Sequence, residues 1–112
     1  MPDSTQYASS SPPFEIKTLE SEDATTVALS GEFDLTSVDQ LKNAIREAEN
    51  RPPGSTVIDL ADLSFMDSTT LAALLEARKR ASENNHRLRF VPPQHEQVRQ
   101  ILSITGTSEV FT

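Results

Sequence analysis

Between Thr56 and Leu75 the hydrophobic pattern of the chain changes period once, at a polar point. Thr56-Val57-Ile58-Asp59-Leu60 is a β-type run, rich in branched side chains. Leu71, Leu74 and Leu75 then recur at i, i+3 and i+4, the spacing of one helix face. The connection is Leu63-Ser64-Phe65-Met66 followed by Asp67-Ser68-Thr69. A strand followed by a helix is one unit of the element pattern from which a fold class is argued. Side-chain oxygens of Asp67, Ser68 and Thr69 can cap the free amide N–H groups of the first helical turn. A hydroxyl at that point faces outward, near the positive end of the helix dipole, with Phe65 and Met66 as exposable apolar neighbours.

The flanking segments extend the same pattern. Phe14-Glu15-Ile16-Lys17-Thr18-Leu19 and Thr25-Thr26-Val27-Ala28-Leu29-Ser30 alternate apolar and polar, and the charged turn Glu20 to Ala24 joins them as an antiparallel hairpin. Gly31-Glu32-Phe33-Asp34-Leu35 reads as a loop. Thr36 or Ser37 then caps a helix, with Gln40 in capping-box spacing from Ser37. Val38, Leu41, Ile45 and Ala48 form its apolar stripe, and Arg51-Pro52-Pro53-Gly54 ends it. The helix after Ser68 runs to about Asn84, where Asn84 and Asn85 suit a stop. Arg87 to Val91 is a fourth strand, Pro92-Pro93 a break, and about Gln94 to Ile104 a third helix with Gly106 just past its end. Val110 and Phe111 are expected to fold back onto the core.

The order is β-β-α-β-α-β-α, and the predicted fold is α/β with a mixed four- to five-stranded sheet. Strands covered on both faces read as continuous apolar runs, whereas three of these strands are polar on one side. Helices packed mainly on one face follow, with Glu15, Lys17, Arg87 and Arg89 on the open side and Ile16, Leu29, Leu88 and Phe90 beneath the helices. Residues 1–13, dominated by Ser, Thr and Pro, read as a disordered tail, and residues 14–112 as a single domain.

Composition excludes several functions. The formal charge of −7 argues against nucleic-acid binding through a basic surface and favours a basic patch on another protein as partner. There are no cysteines, hence no disulfides or thiolate metal sites. No basic, apolar signal segment is visible at the N-terminus and no apolar run is long enough to span a bilayer, so a cytoplasmic protein without membrane attachment is the expectation.

The three glycines are too far apart for a phosphate-binding loop. Ser68, His95 and an Asp could form a hydrolase triad, but no nucleophile-elbow sequence surrounds Ser68. Both histidines read more simply as exposed polar residues. Asp59, Asp62 and Asp67 could hold a cation weakly, yet loop solubility and helix capping account for them. On pattern alone, Asp67-Ser68 is a helix cap and Glu32 and Asp34 are turn residues. No catalytic residue, metal ligand or cofactor is assigned.

Taken together, the motifs resemble those of the STAS domain family, specifically its single-domain bacterial anti-sigma factor antagonists. The resemblance runs from about Phe14 to Thr112. Leu29-Ser30-Gly31-Glu32-Phe33-Asp34 is similar to the family's Gly-Glu-Leu-Asp turn, and Phe65-Met66-Asp67-Ser68-Thr69-Thr70-Leu71 to its Met-Asp-Ser-Ser/Thr-Gly-Leu phosphorylation loop. Leu102-Ser103-Ile104-Thr105-Gly106 and Val110-Phe111 are similar to its last helix and tail.

This resemblance implies a non-enzymatic phosphoprotein that works by partner switching in transcription regulation, as in a stress response. The unphosphorylated form would bind an anti-sigma factor, a serine kinase of the GHKL ATPase type, and so release the sigma factor. Phosphorylation of Ser68 would end the contact, and a metal-dependent serine phosphatase would restore it. The resemblance implies a contact set of Glu32, Asp34, Asp67, Ser68, Thr69 and Thr70. Thr70 departs from the family's usual Gly, adding bulk and a third adjacent hydroxyl. Two other readings compete: a STAS scaffold in a stress-sensing or transporter-associated complex, and a hydrolase using Ser68.

Overall fold

A computed structural model describes residues 13–111 of the chain. Of the tail expected over residues 1–13, all but Pro13 lies outside the described residues. Pro13 precedes the first strand and is tied to the sheet, its carbonyl accepting the Glu32 N–H at 2.8 Å. The elements are β1 (Phe14–Glu20), β2 (Thr25–Phe33), α1 (Val38–Glu49), β3 (Ser55–Met66), α2 (Ser68–Glu83), β4 (Arg87–Val91), α3 (Glu96–Ile104) and a 3-10 turn (Ser108–Phe111).

Four strands form one sheet in the order β1-β2-β3-β4. β1 is antiparallel to β2, while β2, β3 and β4 run parallel. Both crossovers step the same way across the sheet, so the right-handed rule places α1 and α2 on one face. The two helices touch each other. Arg80 of α2 joins Glu49 of α1 through two hydrogen bonds of 3.0 and 2.8 Å, the bidentate geometry that makes an Arg–carboxylate pair strong.

Register shows which face carries the core. Ile16 opposes Leu29, Val27 opposes Ile58, and Ile58 opposes Phe90. Leu29, Val27 and Ile58 are buried, and Ile16, Leu88 and Phe90 are half-buried against the same cluster. Glu15, Lys17, Arg87 and Arg89 alternate with them and are exposed, as the sequence pattern predicts. Phe111 is also fully buried, its ring edge-on to Phe90 with centroids 4.6 Å apart.

Three features differ from the sequence reading. β3 does not stop at Leu60 but continues to Met66. Its pairing with β2 shifts register twice, between Ala28 and Ser30 and between Gly31 and Glu32, where β3 takes an extra residue each time. Leu60, Leu63 and Met66 therefore all reach the core at a spacing of three, which simple alternation cannot anticipate. Met66 is consequently fully buried rather than exposable. The Asp59 carboxylate steadies the first bulge by accepting the Ala61 N–H at 3.0 Å.

The second difference lies in β2, which continues to Phe33 through Gly31. Gly31 has φ +89, and a Cβ there would collide with the Pro13 carbonyl oxygen. Only glycine lets the two strands meet at this crossing. The third is the start of α1. Ser37 is the N-cap residue, but its hydroxyl makes no cap and no capping box with Gln40 forms. Instead it accepts the Asp34 N–H at 3.0 Å and donates to the Asp34 carbonyl at 3.1 Å, closing the preceding turn.

Leu41 and Leu74 are both fully buried, one beneath each crossover helix. Leu74→Ala and Leu41→Ala should each cost about 2–5 kcal/mol, read from the urea unfolding midpoint at constant slope. A loss below about 0.5 kcal/mol would mean that the helix phase is wrong.

Candidate functional site

The last rungs of the β2–β3 ladder set the site. Glu32 pairs with Phe65 and Phe33 with Met66. The next residue on each strand is therefore Asp34 and Asp67, and two loops distant in sequence leave the sheet side by side. The Asp67 N–H donates to the Phe33 carbonyl at 3.2 Å and ties the second loop to the first. This edge is the carboxyl end of parallel strands, where open α/β sheets place their ligands.

Asp67 is the N-cap of α2, in extended conformation, and its Oδ1 accepts the Thr70 N–H at 3.0 Å. Ser68 follows as the first helical residue. Its side chain is exposed, and its hydroxyl has no hydrogen-bond partner among the described residues. Thr69 is half-buried. The sequence thus supplies a cap that holds the helix start rigid and leaves the adjacent hydroxyl free.

Thr70 corrects the sequence reading. It is fully buried, so the expected run of three outward hydroxyls is reduced to Ser68 and the half-buried Thr69. The third helical position turns inward, toward the core. Its Oγ1 is buried without a partner, an arrangement that typically costs about 1–3 kcal/mol. The extra bulk relative to glycine is therefore spent inside the protein and not on its surface.

Asp34 is exposed. Its Oδ1 accepts both the Thr36 hydroxyl at 2.6 Å and the Thr36 N–H at 2.9 Å. The Thr36 hydroxyl bond, then the Thr36 backbone N–H bond, hold its pKa below the usual carboxylate value, against a smaller opposing effect of desolvation. The carboxylate is thus a fixed negative charge, oriented by its own turn. Glu32 is exposed on the open face of the sheet beside Phe65.

Two apolar side chains border these acids. Phe65 is 38% exposed and Leu35 69%. Phe65 is expected from the sequence; Leu35 is not singled out there. Its only signal is a large aliphatic residue inside an otherwise polar turn.

The other polar candidates lie elsewhere. His86 sits at the start of β4, at the opposite end of the sheet, where its Nε2 lies 2.8 Å from the Thr56 hydroxyl. His95 precedes α3 and is exposed, with no capping bond from its side chain. Neither histidine is hydrogen-bonded to Ser68. Asp59 is engaged at the bulge and Asp62 is exposed on the open face. Among the described residues no group of three His, Asp or Glu side chains could hold a metal ion.

The family profile described as "Mlab, STAS domain" matches residues 16–112. The chain belongs to the STAS domain family. An anti-sigma-B factor antagonist of Staphylococcus epidermidis is 25% identical over 96 residues, 86% of this chain and 88% of that protein. An anti-sigma factor antagonist from Mycobacterium paratuberculosis has the same fold at a TM-score of 0.75 and 21% identity, covering 88% of this chain and 82% of that one. The anti-sigma factor antagonist SpoIIAA in its unphosphorylated form gives a TM-score of 0.69 at 20% identity, over 88% and 85% of the two chains. The phosphorylated form of this Bacillus cell fate determinant gives 0.64 at 20% identity, over 88% of each chain. The mixed four-stranded sheet is thus the STAS architecture.

Two outcomes are expected at this site. Thr70→Val keeps the shape and removes the unpaired hydroxyl, so it should stabilise the protein by about 1 kcal/mol in urea unfolding; an unchanged or lower midpoint would show that the hydroxyl is satisfied in solution. Asp34 should titrate below an ordinary aspartate in a carbon-detected NMR experiment. Its folded pKa is depressed, so the stability it contributes is present above the ordinary carboxylate range and is lost as pH falls through the folded value. Thr36→Val should move its midpoint up toward that of a free aspartate.

Proposed function

We propose that this protein is an anti-sigma factor antagonist controlled by phosphorylation of Ser68. The carrying observation is the exposed Ser68 side chain on the first turn of α2, its hydroxyl without a hydrogen-bond partner among the described residues, directly after Asp67, whose N–H is tied to the Phe33 carbonyl. In this reading the unphosphorylated protein binds an anti-sigma factor that is a GHKL-type serine kinase, and the sigma factor is released. Glu32, Asp34, Asp67, Ser68 and Thr69 form the contact set, with Phe65 and Leu35 as its apolar border. Thr70, being buried, contributes no side chain to it. The likeness to proteins named for this role supports the reading.

The chemistry asks little of this chain. The kinase brings ATP, metal and base. The Ser68 oxygen bonds to the γ-phosphorus of ATP, ADP leaves, and the hydroxyl proton passes to the kinase's base. A phosphoacceptor must be exposed and rigidly placed, and the capped helix start provides both. A metal-dependent phosphatase reverses the step by hydrolysis.

Phosphoserine adds about 1.5–2 negative charges. At the start of a helix such a charge typically gains about 0.3–1 kcal/mol from the dipole and free N–H groups. The Asp67 carboxylate next to it opposes part of that gain. The fold therefore persists, while a hydrated dianion now stands where the partner must desolvate the surface. The partner leaves faster, and the switch acts through the surface.

The experiment pairs thermal melts with calorimetric binding to the cognate anti-sigma factor kinase. With ATP the kinase should label Ser68. Ser68→Ala should bind and stay bound, Ser68→Asp should bind poorly, and Asp34→Ala should lose affinity while melting close to wild type. Phosphorylated protein that melts far below wild type would replace the surface mechanism with unfolding. Absence of both binding and labelling would reject the proposed function.

A further inference from the structure

Half of the positive side chains of this acidic chain lie at the end of the molecule remote from Ser68. Residues 78–89 carry five of the ten Lys and Arg side chains and one of the seventeen acidic ones, Glu83. Arg80 is committed to Glu49. The other four, Arg78, Lys79, Arg87 and Arg89, are exposed. They surround β4, an edge strand: it pairs with β3 on one side and, among the described residues, no strand pairs with its other side. The half-buried Leu88 and Phe90 lie on the helix side of β4, and Arg87 and Arg89 on the open side. Between α2 and β4 runs a groove of about 470 Å³, lined by Arg78, Lys79, Ser82, Glu83, His86 and Leu88.

Simpler roles account for part of this. Cations near the C-terminus of α2 complement its dipole, which explains Arg78 and Lys79 but not two arginines on a strand. Charged residues on an edge strand, cationic ones especially, discourage unwanted pairing, which explains Arg87 and Arg89 by themselves but not their conjunction with Arg78 and Lys79 on the neighbouring helix. The opposite edge, β1, carries Glu15, Lys17 and Glu20, of both signs. The excess of cations across two elements around β4, four exposed against the one acid Glu83, is left over.

We infer that the free edge of β4 is a second interaction surface, which takes an acidic, extended segment of a partner protein as an added strand. A peptide backbone matches the unpaired N–H and C=O groups of an edge strand. The period of two then divides the guest's side chains. Acidic residues on one face meet Arg87 and Arg89, and apolar residues on the other meet Leu88, with Arg78 and Lys79 at the rim of the groove beyond it. A nucleic acid would satisfy the charges but not the strand edge. This surface lies at the far end of β3 from Ser68 and does not depend on the proposed kinase contact.

The test uses the full chain, isotope-labelled, with a ten-residue peptide of alternating Glu and Val. The peptide should shift the amide signals of His86 to Val91 and slow hydrogen exchange along β4. The Arg87→Glu/Arg89→Glu variant should bind about tenfold or more weakly, as should wild type at high salt, because attraction between exposed charges is screened. Arg87→Gln/Arg89→Gln should give a smaller loss, and both variants should leave the Asp34 and Ser68 signals in place. Equal binding of a Lys-Val peptide, shifts centred on Ser68, or no shift at millimolar peptide would each overturn the inference. So would tighter binding of oligo-dT at the same amides, or β4 shifts that depend on protein concentration alone, which would make a polyanion or a second copy the occupant.

Discussion

The parallel pairing of β2 with β3 is the constraint on which the rest of the structure depends. It ends in register at Phe33 and Met66, and that coincidence sets Asp34 beside Asp67. Parallel strands cannot be joined by a tight turn, so α1 must cross over between them and cover one face. The pairing holds only because β3 absorbs two extra residues as bulges while keeping Leu60, Leu63 and Met66 in the core. It also needs Gly31, where the Pro13 carbonyl approaches too closely for any side chain. The acidic loops are thus positioned by backbone hydrogen bonds and core packing, with little help from contacts between their side chains.

Helix α2 runs from one pole of the charge distribution to the other. Its sixteen residues span about 24 Å at 1.5 Å per residue. Its first turn carries Asp67 as cap and Ser68 as free hydroxyl, and its last turns carry Arg78, Lys79 and Arg80. Both placements complement the helix dipole, so the charge asymmetry stabilises the element that displays the serine. Thr70 works against this: its unpaired buried hydroxyl weakens the helix start from the inside.

Most elements are legible in the sequence because their periods are clean. β1, β4, α1 and α2 follow the alternation or the apolar stripe, and β4 matches residue for residue. The bulged half of β3 is not legible, since a spacing of three across Leu60, Leu63 and Met66 imitates neither a strand nor a full helical face. Ser37 has the spacing of a capping box but bonds the turn before it, because a hydroxyl takes whichever backbone partner the chain path presents. At the site, the motifs name Asp34, Asp67 and Ser68, whereas Leu35 is marked only by being a large aliphatic residue in a polar turn.

By itself the sequence determined the class of fold, the side of the sheet that the helices cover and the serine presented at a helix start. These are local matters of period, cap and charge, each readable within a few residues. Tertiary structure alone decided that Asp34 and Asp67 are neighbours, that Met66 and Thr70 face inward, and that β4, with its arginines, is an edge strand among the described residues. Those facts depend on register between distant strands and on the rotation of a helix against the sheet. Both are settled by how the whole core packs, and no short stretch of the chain encodes them.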